Sequence, residues 1–434
     1  MKKKNRLPAL VIFSTFLCLG LMWLLYVIYG KHLLTSIYRG ESIWVFRKFM
    51  EGRLEDYSKI YDRLMWCWTF LVILADLIYL AGLWIGIKPV LFVLAFDLIL
   101  MEGAIATALS SPSILKYFPE PFFNHIREIY RSYDRVPIQT DPSCAHYDPD
   151  FSYLLNPGKC TFSGREFQTE IFVNSMGFRD DEKSLRAPAV IVLGDSFAFG
   201  WGVNQDETFA EIIEKKFHLN VLNTGIPSFG TVREMRVLDK VDTSQLKYLI
   251  IQYCINDYAE NREFSVRGNN LITMTRQHYL ELCQLRQNNH RYYLGKYCLQ
   301  SLAVLLQNML FGPNNDICPS PSKFQDYKNQ TDLFLNALIH GSHLDLSKVK
   351  IIVLDLNSCG VYENKFIAEL KARIAAGDYP LSIKNLIPID LEETLKTKNF
   401  KENGYYYPLD RHLNRKGHAA VAEAIIKVMQ DNGL

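Results

Sequence analysis

The sequence predicts an α/β fold, a central parallel sheet with helices packed on it, preceded by N-terminal transmembrane helices. Three observations predict it. Ala189 to Leu193 is an unbroken apolar run rich in β-branched residues that stops at Gly194, the pattern of a strand buried on both faces of a parallel sheet. From there to the C-terminus, strand-length and helix-length segments alternate, the rhythm of right-handed crossover units. The third observation is the crowding of apolar residues into the first 110 positions, which is a membrane signal rather than a globular one.

The membrane segment comes first in the chain. Lys2, Lys3, Lys4 and Arg6 precede Leu7 to Tyr29, which contains no charged residue. At about 1.5 Å per residue such a run crosses a hydrocarbon core of about 30 Å. It is longer than the apolar region of a cleavable signal peptide and no small-residue cleavage site follows, so it reads as an uncleaved anchor. A second apolar block, Leu64 to Leu109, is interrupted at Gly86-Ile-Lys-Pro89 and reads as a helical hairpin with spans near 64–87 and 89–109. A hairpin only partly inserted is the alternative, because the second arm reads as less apolar than the first. Asp76 in the first arm and Asp97 and Glu102 in the second are costly at bilayer depth and are expected to face protein or a wet cavity. Asp76 and Asp97 stand at similar distances from the turn, which suits a shared proton or partner.

Residues 1–110 are thus expected to be a membrane anchor. One or three crossings from a cytoplasmic Lys-rich end put the rest of the chain outside, although Lys31 to Arg63 carries more Lys and Arg than the N-terminus and argues the other way. Cys144 and Cys160 bracket a turn-rich stretch that a disulfide could close as a hairpin, an extracytoplasmic habit; unpaired structural cysteines are the equal alternative. The expected location is the membrane, with the C-terminal domain extracytoplasmic (periplasmic).

Residues 111–180 read as a connector and a small β-rich lead-in. Pro112, Pro119, Pro121 and Pro137 interrupt an amphipathic stretch from Phe123 to Tyr133, and Phe167, Thr169, Ile171 and Val173 alternate with polar neighbours as in a half-buried strand. In 181–434, helices are expected over Glu207 to Phe217, Thr231 to Val241 and Lys416 to Met429, the last with Asn414 as N-cap. Further strands are expected at Leu219 to Leu222, Tyr248 to Tyr253, Val349 to Leu356 and Ser382 to Pro388. An insertion at 258–348 is too long for a bare loop, and its helical portion from Gln277 to Leu310 could roof a site at the sheet edge.

With a net charge of +2 over 434 residues, no basic surface points to nucleic acid. No Cys-x-x-Cys pair or metal-ligand spacing appears, so no metal is expected. Gly200-Trp-Gly202 begins like a dinucleotide fingerprint, but Gln205 stands where the third glycine belongs, and no cofactor is expected.

The chemistry concentrates at strand ends. Gly194-Asp-Ser196 would deliver the Ser196 hydroxyl to the carboxyl edge of the sheet, where open α/β folds hold ligands. A serine nucleophile needs a base that works at neutral pH, and a histidine oriented by a carboxylate supplies one; Asp410 and His412 precede the last helix. Asn223-Thr-Gly225 and Tyr253-Cys-Ile-Asn-Asp257 follow the next two strands and offer a close backbone N–H and a side-chain amide for an oxyanion. His418, within the last helix, is the alternative base and reads better as a packing residue.

These four stations, Gly194-Asp195-Ser196-Phe197, Gly225, Asn256-Asp257 and Asp410-Arg-His412, resemble in order and placement those of the SGNH hydrolases, also called the GDSL esterase/lipase family. The resemblance covers about 188–434 and implies a three-layer sandwich of the SGNH, flavodoxin-like kind. It implies Ser196 as nucleophile, His412 as base and then acid, Asp410 as its orienter, and the Ser196 N–H, Gly225 and Asn256 as the oxyanion hole, with Asp195 structural. Two departures stand out. Cys254 occupies a place that is usually glycine, and Asp410 precedes His412 by two residues where three is usual, so that a main-chain carbonyl competes for the imidazole. The implied function is a membrane-anchored serine esterase or deacylase acting on an acyl ester, with acetyl as the expected acyl group. The alternatives are an acyltransferase acting on a cell-envelope polysaccharide and a noncatalytic envelope module that binds carbohydrate or serves as scaffold.

Overall fold

The computed structural model describes residues 54–311, 326–357, 365–395 and 404–433, together with Thr15, Leu19, Gly20 and Trp23. The expected span at 7–29 otherwise lies outside the described residues. The chain divides into two units. One takes in residues 1–106 with 294–314, and the other 107–293 with 315–434.

Helix α1 runs Leu54–Ile85 and α2 Ile87–Ser110. Gly86 between them has φ +89°, the left-handed conformation that ends a helix cheaply only at glycine. Among the described residues α2 is the one helix long and apolar enough to cross a membrane. At 24 residues it is about 36 Å long. Leu91, Phe92, Val93 and Ile99 are each more than half exposed, a cost in water that lipid removes. The expected apolar ranking of the two arms is reversed. In α1 the apolar segment is only Val72–Ile85, because the helix continues backward through Glu55, Asp56, Lys59, Asp62 and Arg63. Asp97 is exposed and no hydrogen bond joins it to Asp76, whereas Glu102 is buried.

In the second unit α3, Glu120–Ile129, starts behind Pro119 and buries Phe123, Ile126 and Ile129 on one face. A π-helical turn, Tyr130–Asp134, extends it and buries Tyr130. Two antiparallel hairpins follow. Strand β1, Ala145–Asp148, pairs with β2, Ser152–Leu155; β3, Gly158–Ser163, pairs with β4, Gln168–Val173. The Cys144–Cys160 disulfide exists, but it ties one hairpin to the other rather than closing a single one. Thr169, Ile171 and Val173 of β4 point inward, and Ile171 and Val173 with Phe162 meet Phe199 and Trp201 beside the main sheet.

That sheet has five parallel strands. Chain order runs β5 (Val190–Leu193), α4 (Ser196–Phe199), α5 (Phe209–Phe217), β6 (Val221–Asn223), α6 (Thr231–Val237) and β7 (Tyr248–Tyr253). Then come α7 (Asp257–Val266), α8 (Arg276–His290), α9 (Lys296–Phe311), α10 (Tyr327–His340), β8 (Lys350–Asp355), α11 (Lys365–Ala376), β9 (Leu386–Ile389), α12 (Glu392–Leu395) and α13 (Arg415–Asp431). Spatial order is β6-β5-β7-β8-β9, with Val190 beside both Val221 and Tyr248. Side chains alternate between two cores. Val190, Val192, Ile250 and Ile352 face α5 and α13, while Ile191, Leu193, Ile251 and Val353 face α6, α10 and α11. Each such side chain, wholly buried, contributes on the order of 2 kcal/mol.

The first and fourth strands are shorter than expected by a residue at one or both ends, and two others differ by more. The second strand is Val221–Asn223 because His218, at φ +52°, ends α5 and delays it. The fifth is Leu386–Ile389, since Leu381–Ile383 forms a 3-10 turn. The insertion is not one roof. Helix α10 packs Phe334, Leu335 and Leu338 on the sheet, α8 packs Tyr279 and Cys283 on the first hairpin, and α9 groups with the hydrophobic unit. There the Cys298 N–H of α9 donates to Glu102 Oε2 at 2.9 Å, which explains a carboxylate in an apolar helix.

The disulfide closes a loop with a sequence separation of 16. Replacing both cysteines, Cys144→Ser with Cys160→Ser, is expected to cost about 3 kcal/mol in urea unfolding of the detergent-solubilised chain, with a slope that rises somewhat because the unfolded chain loses its crosslink. An unchanged midpoint would show that the crosslink adds nothing.

Candidate active site

The site is built at the carboxyl ends of β5 and β7, between which the chain's winding direction reverses; crevices in parallel sheets open at that point. β5 ends at Gly194, with φ +153°. A Cβ there would come within 2.6 Å of both Ala198 Cβ and Gln252 Oε1. That closeness is used, because Gln252 Oε1 accepts the N–H groups of Asp195 at 3.0 Å and Ala198 at 3.1 Å, clamping the turn to β7. Asp195 caps α4 by accepting the Phe197 N–H at 3.0 Å. At the other end buried Arg179 collects carbonyls, donating to Phe199 O at 3.1 Å and to Gly200 O and Val203 O at 2.6 Å. Ser196 is therefore the first residue of a short helix fixed at both ends, and its hydroxyl stands free of the helix's own bonding.

His412 Nε2 lies 2.7 Å from Ser196 Oγ. Its other nitrogen, Nδ1, bonds Asp410 Oδ1. The two-residue spacing works because Arg411 between them takes φ +67°, turning both neighbours' side chains to one side; the Arg411 N–H donates to Tyr407 O at 2.8 Å. The carboxylate, not a main-chain carbonyl, thus holds the imidazole. Tyr130 donates to Asp410 Oδ2 at 2.9 Å, and Arg135 Nη1 stands 4.0 Å from Oδ1. Trp201 stacks on the imidazole at 4.8 Å and Phe197 leans on it at 5.0 Å.

Electrostatics follow from burial and these partners. Burial raises the Asp410 carboxyl, but His412, Arg135 and the Tyr130 hydroxyl outweigh it and hold Asp410 well below the usual carboxylate range. Burial lowers His412, against the pull of Asp410, so the imidazole is neutral at pH 7. His418 is buried, its Nδ1 accepting the Phe209 N–H at 3.4 Å, and burial pushes it down to about 3. It packs against Phe209 and has no path to Ser196's proton. Cys254, buried in the core under the sheet end, is held far up as a neutral thiol by burial.

The three expected oxyanion donors are placed unequally. Ser196 opens α4, where the first N–H groups lack helical partners. Exposed Asn256 donates one amide hydrogen to Asp195 Oδ2 at 3.2 Å, which leaves its second. The Gly225 N–H donates to Asn223 Oδ1 at 3.0 Å, and a Cβ at 225 would come within 2.5 Å of Phe199 N. Glycine is required there for helix contact. Sequence reasoning missed Gln252 in a core strand, Tyr130 in the π-helical turn, and Arg135 and Arg179 in loops. It also missed Glu166, whose carboxylate accepts the N–H groups of Leu409 at 3.0 Å and Asp410 at 2.8 Å from the tip of the second hairpin. A lone Glu in a turn gives no signal.

Among the described residues no group of His, Cys, Asp and Glu could hold a metal ion. No protein-family model matches the chain, and no curated protein matches it.

Asp180 supports the Asn223 loop, accepting the Asn223 N–H at 2.7 Å, and burial pushes its carboxyl up to about 7 against that bond. The folded state therefore holds a proton that the unfolded chain releases near pH 4. Its contribution is full below pH 4 and is lost as pH rises through 7. Asp180→Asn, always neutral, is expected to flatten the fall of the thermal midpoint between pH 4 and 8, although its single amide oxygen replaces only one of the two carboxylate oxygens that accept the Asn223 and Asp181 N–H groups. Parallel melting profiles of the two proteins would refute this.

Proposed function

We propose that the chain is a membrane-anchored serine esterase or deacylase of SGNH type, its fold a three-layer, flavodoxin-like sandwich. The observation that carries the reading is His412 bridging Ser196 Oγ at 2.7 Å and a buried Asp410 at the switch point of a parallel sheet. The four sequence stations resembling that family, and their placement at successive strand ends, support it.

Ser196 Oγ attacks the ester carbonyl carbon as His412 Nε2 takes its proton, and Asp410 stabilises the imidazolium through Nδ1. The carbonyl oxygen becomes the oxyanion, met by the Ser196 N–H, the second Asn256 amide hydrogen and, once it leaves Asn223 Oδ1, the Gly225 N–H. The tetrahedral intermediate expels the alcohol, which takes the proton from His412, and leaves an acyl group on Ser196. Water then gives a proton to His412 and attacks the acyl carbon; its collapse releases the acid and restores the serine. Acetyl is the simplest acyl group for this cycle. An extracytoplasmic side for the domain is supported by the Cys144–Cys160 disulfide, and the anchor by the length and apolarity of α2.

A fluorophosphonate is expected to label the wild-type chain at Ser196, and Ser196→Ala and His412→Ala are each expected to lower turnover of an activated acetyl ester by several orders of magnitude, since nucleophile and base act as one unit. Absence of label on folded protein would favour a noncatalytic module. The acid limb gives a second test. His412 must be unprotonated to act, and burial lowers its pKa. The expected kcat/KM therefore rises tenfold per pH unit to a midpoint under about 6.5 and is flat above it. A midpoint above 7 would contradict the assignment of His412 as base.

A further inference from the structure

Helix α9 is inside out for a helix in water. Of its 16 residues only Lys296 is charged. Lys296, Tyr297, Gln300, Ser301 and Val304 recur at the spacing of one helical face and are buried. Leu299, Leu302, Leu305, Leu306 and Met309 occupy the other face, and each is more than a third exposed. A helix on the surface of a water-soluble protein has the opposite arrangement, with its apolar stripe inward and its polar residues out. Burying an ammonium, an amide and a hydroxyl while exposing a stripe of large apolar side chains is unfavourable on both faces in water. In hydrocarbon it is favourable on both, because polar groups there belong in the interior of the bundle.

The contacts of α9 place its outer face in a lipid-like setting. Its Cys298 N–H, one of the first in the helix and so without a helical partner, donates to buried Glu102 Oε2 of α2 at 2.9 Å, and the Cys298 thiol donates to Leu98 O at 3.4 Å. At the far end Arg63 of α1 donates to Leu310 O at 3.2 Å. A carboxylate at the N-terminal end and a guanidinium at the C-terminal end both suit the helix dipole, and they seat α9 on α1 and α2 at each of its ends. The outer stripe thus starts beside Leu98, Ile99 and Leu100 of α2, each more than half exposed, and prolongs that apolar surface.

Length decides how α9 can enter a bilayer. Sixteen residues make about 24 Å of helix, short of a hydrocarbon core of about 30 Å. The helices before and after it in the chain, α8 and α10, both belong to the other unit. A segment that leaves a unit and rejoins it without crossing enters and leaves the bilayer on one side.

We propose that the outer face of α9 is a lipid-binding surface, seated among the acyl chains of one leaflet as an element that dips into the bilayer and does not span it. This rests on the reading of α2 as a membrane span and is independent of the esterase reading. Residues 107–293, which include Ser196, Gly225 and Asn256, are then tied to lipid at both ends of that stretch of chain.

The full chain tests this in phosphatidylcholine vesicles that contain a phosphatidylcholine with a diazirine in its acyl chain. After irradiation, lipid adducts are mapped by mass spectrometry. Adducts are expected between Leu299 and Met309 and between Leu91 and Leu100, and not at Val266, an apolar residue of α7 that is as exposed as these. Leu302→Glu combined with Leu306→Glu is expected to lower the α9 adducts about tenfold or more, since carboxylates are expelled from hydrocarbon, and to leave those on α2 unchanged. Adducts on α2 with none on α9, as when a second copy of the chain covers the stripe, would overturn the inference and leave the α2 anchor standing. Adducts on α9 undiminished in the double variant would also overturn it. Adducts on neither helix would sink the anchor and the inference together.

Discussion

A carboxylate with no exposed surface must be partnered, and in this chain the partnering of Asp410 gathers the whole second unit. Its contacts come from the π-helical turn and the residue that follows it (Tyr130 and Arg135) and from its own loop (His412). Its backbone N–H is held by Glu166 from the second hairpin. The lead-in is therefore not an appendage to the sheet. Tyr407 makes the same point, donating to Gly202 O at 2.7 Å and packing on Phe167. Segments separated by more than two hundred residues meet on one side chain, and the charge it keeps is what orients the imidazole toward Ser196.

The sheet was legible because strands buried on both faces must be apolar throughout. Tyr248–Tyr253 shows this directly, with its bounds readable from sequence. The boundary residues that failed to read, as at Val221, depend on where the preceding helix stops, and His218 in the left-handed region is a non-glycine in a conformation sequence patterns do not flag. The hairpin arms were misjudged for a related reason. Apolarity counted by residue places Asp97 and Glu102 against α2, yet Glu102 is bonded to a helix almost two hundred residues later and no local window contains that partner.

At the site, residue types with few structural uses were visible in sequence, Ser196 after a strand and Asp410 with His412 before a helix. Residues acting through ordinary contacts were not. Gln252 reads as a polar interruption of a core strand, and its value lies in two N–H groups on another strand's end. The spacing of Asp410 and His412 could not be judged either, because it depends on Arg411 adopting positive φ at a cost of order 1 kcal/mol, supported by its bond to Tyr407.

The Gly225 N–H bears on how the proposed chemistry would divide its stabilisation. In the resting arrangement it is bonded to the neutral Asn223 amide, a bond whose net value is about 1 kcal/mol. A neutral ester oxygen would not displace that partner, since one neutral acceptor would replace another. An oxyanion would, because a charge-assisted bond is roughly twice as strong. Asn223 is itself held, donating to Ala198 O at 3.0 Å, so its Oδ1 stays available to take the N–H back. A donor that changes partner only as charge develops stabilises the transition state without tightening substrate binding, which is the kind of interaction that raises turnover rather than affinity.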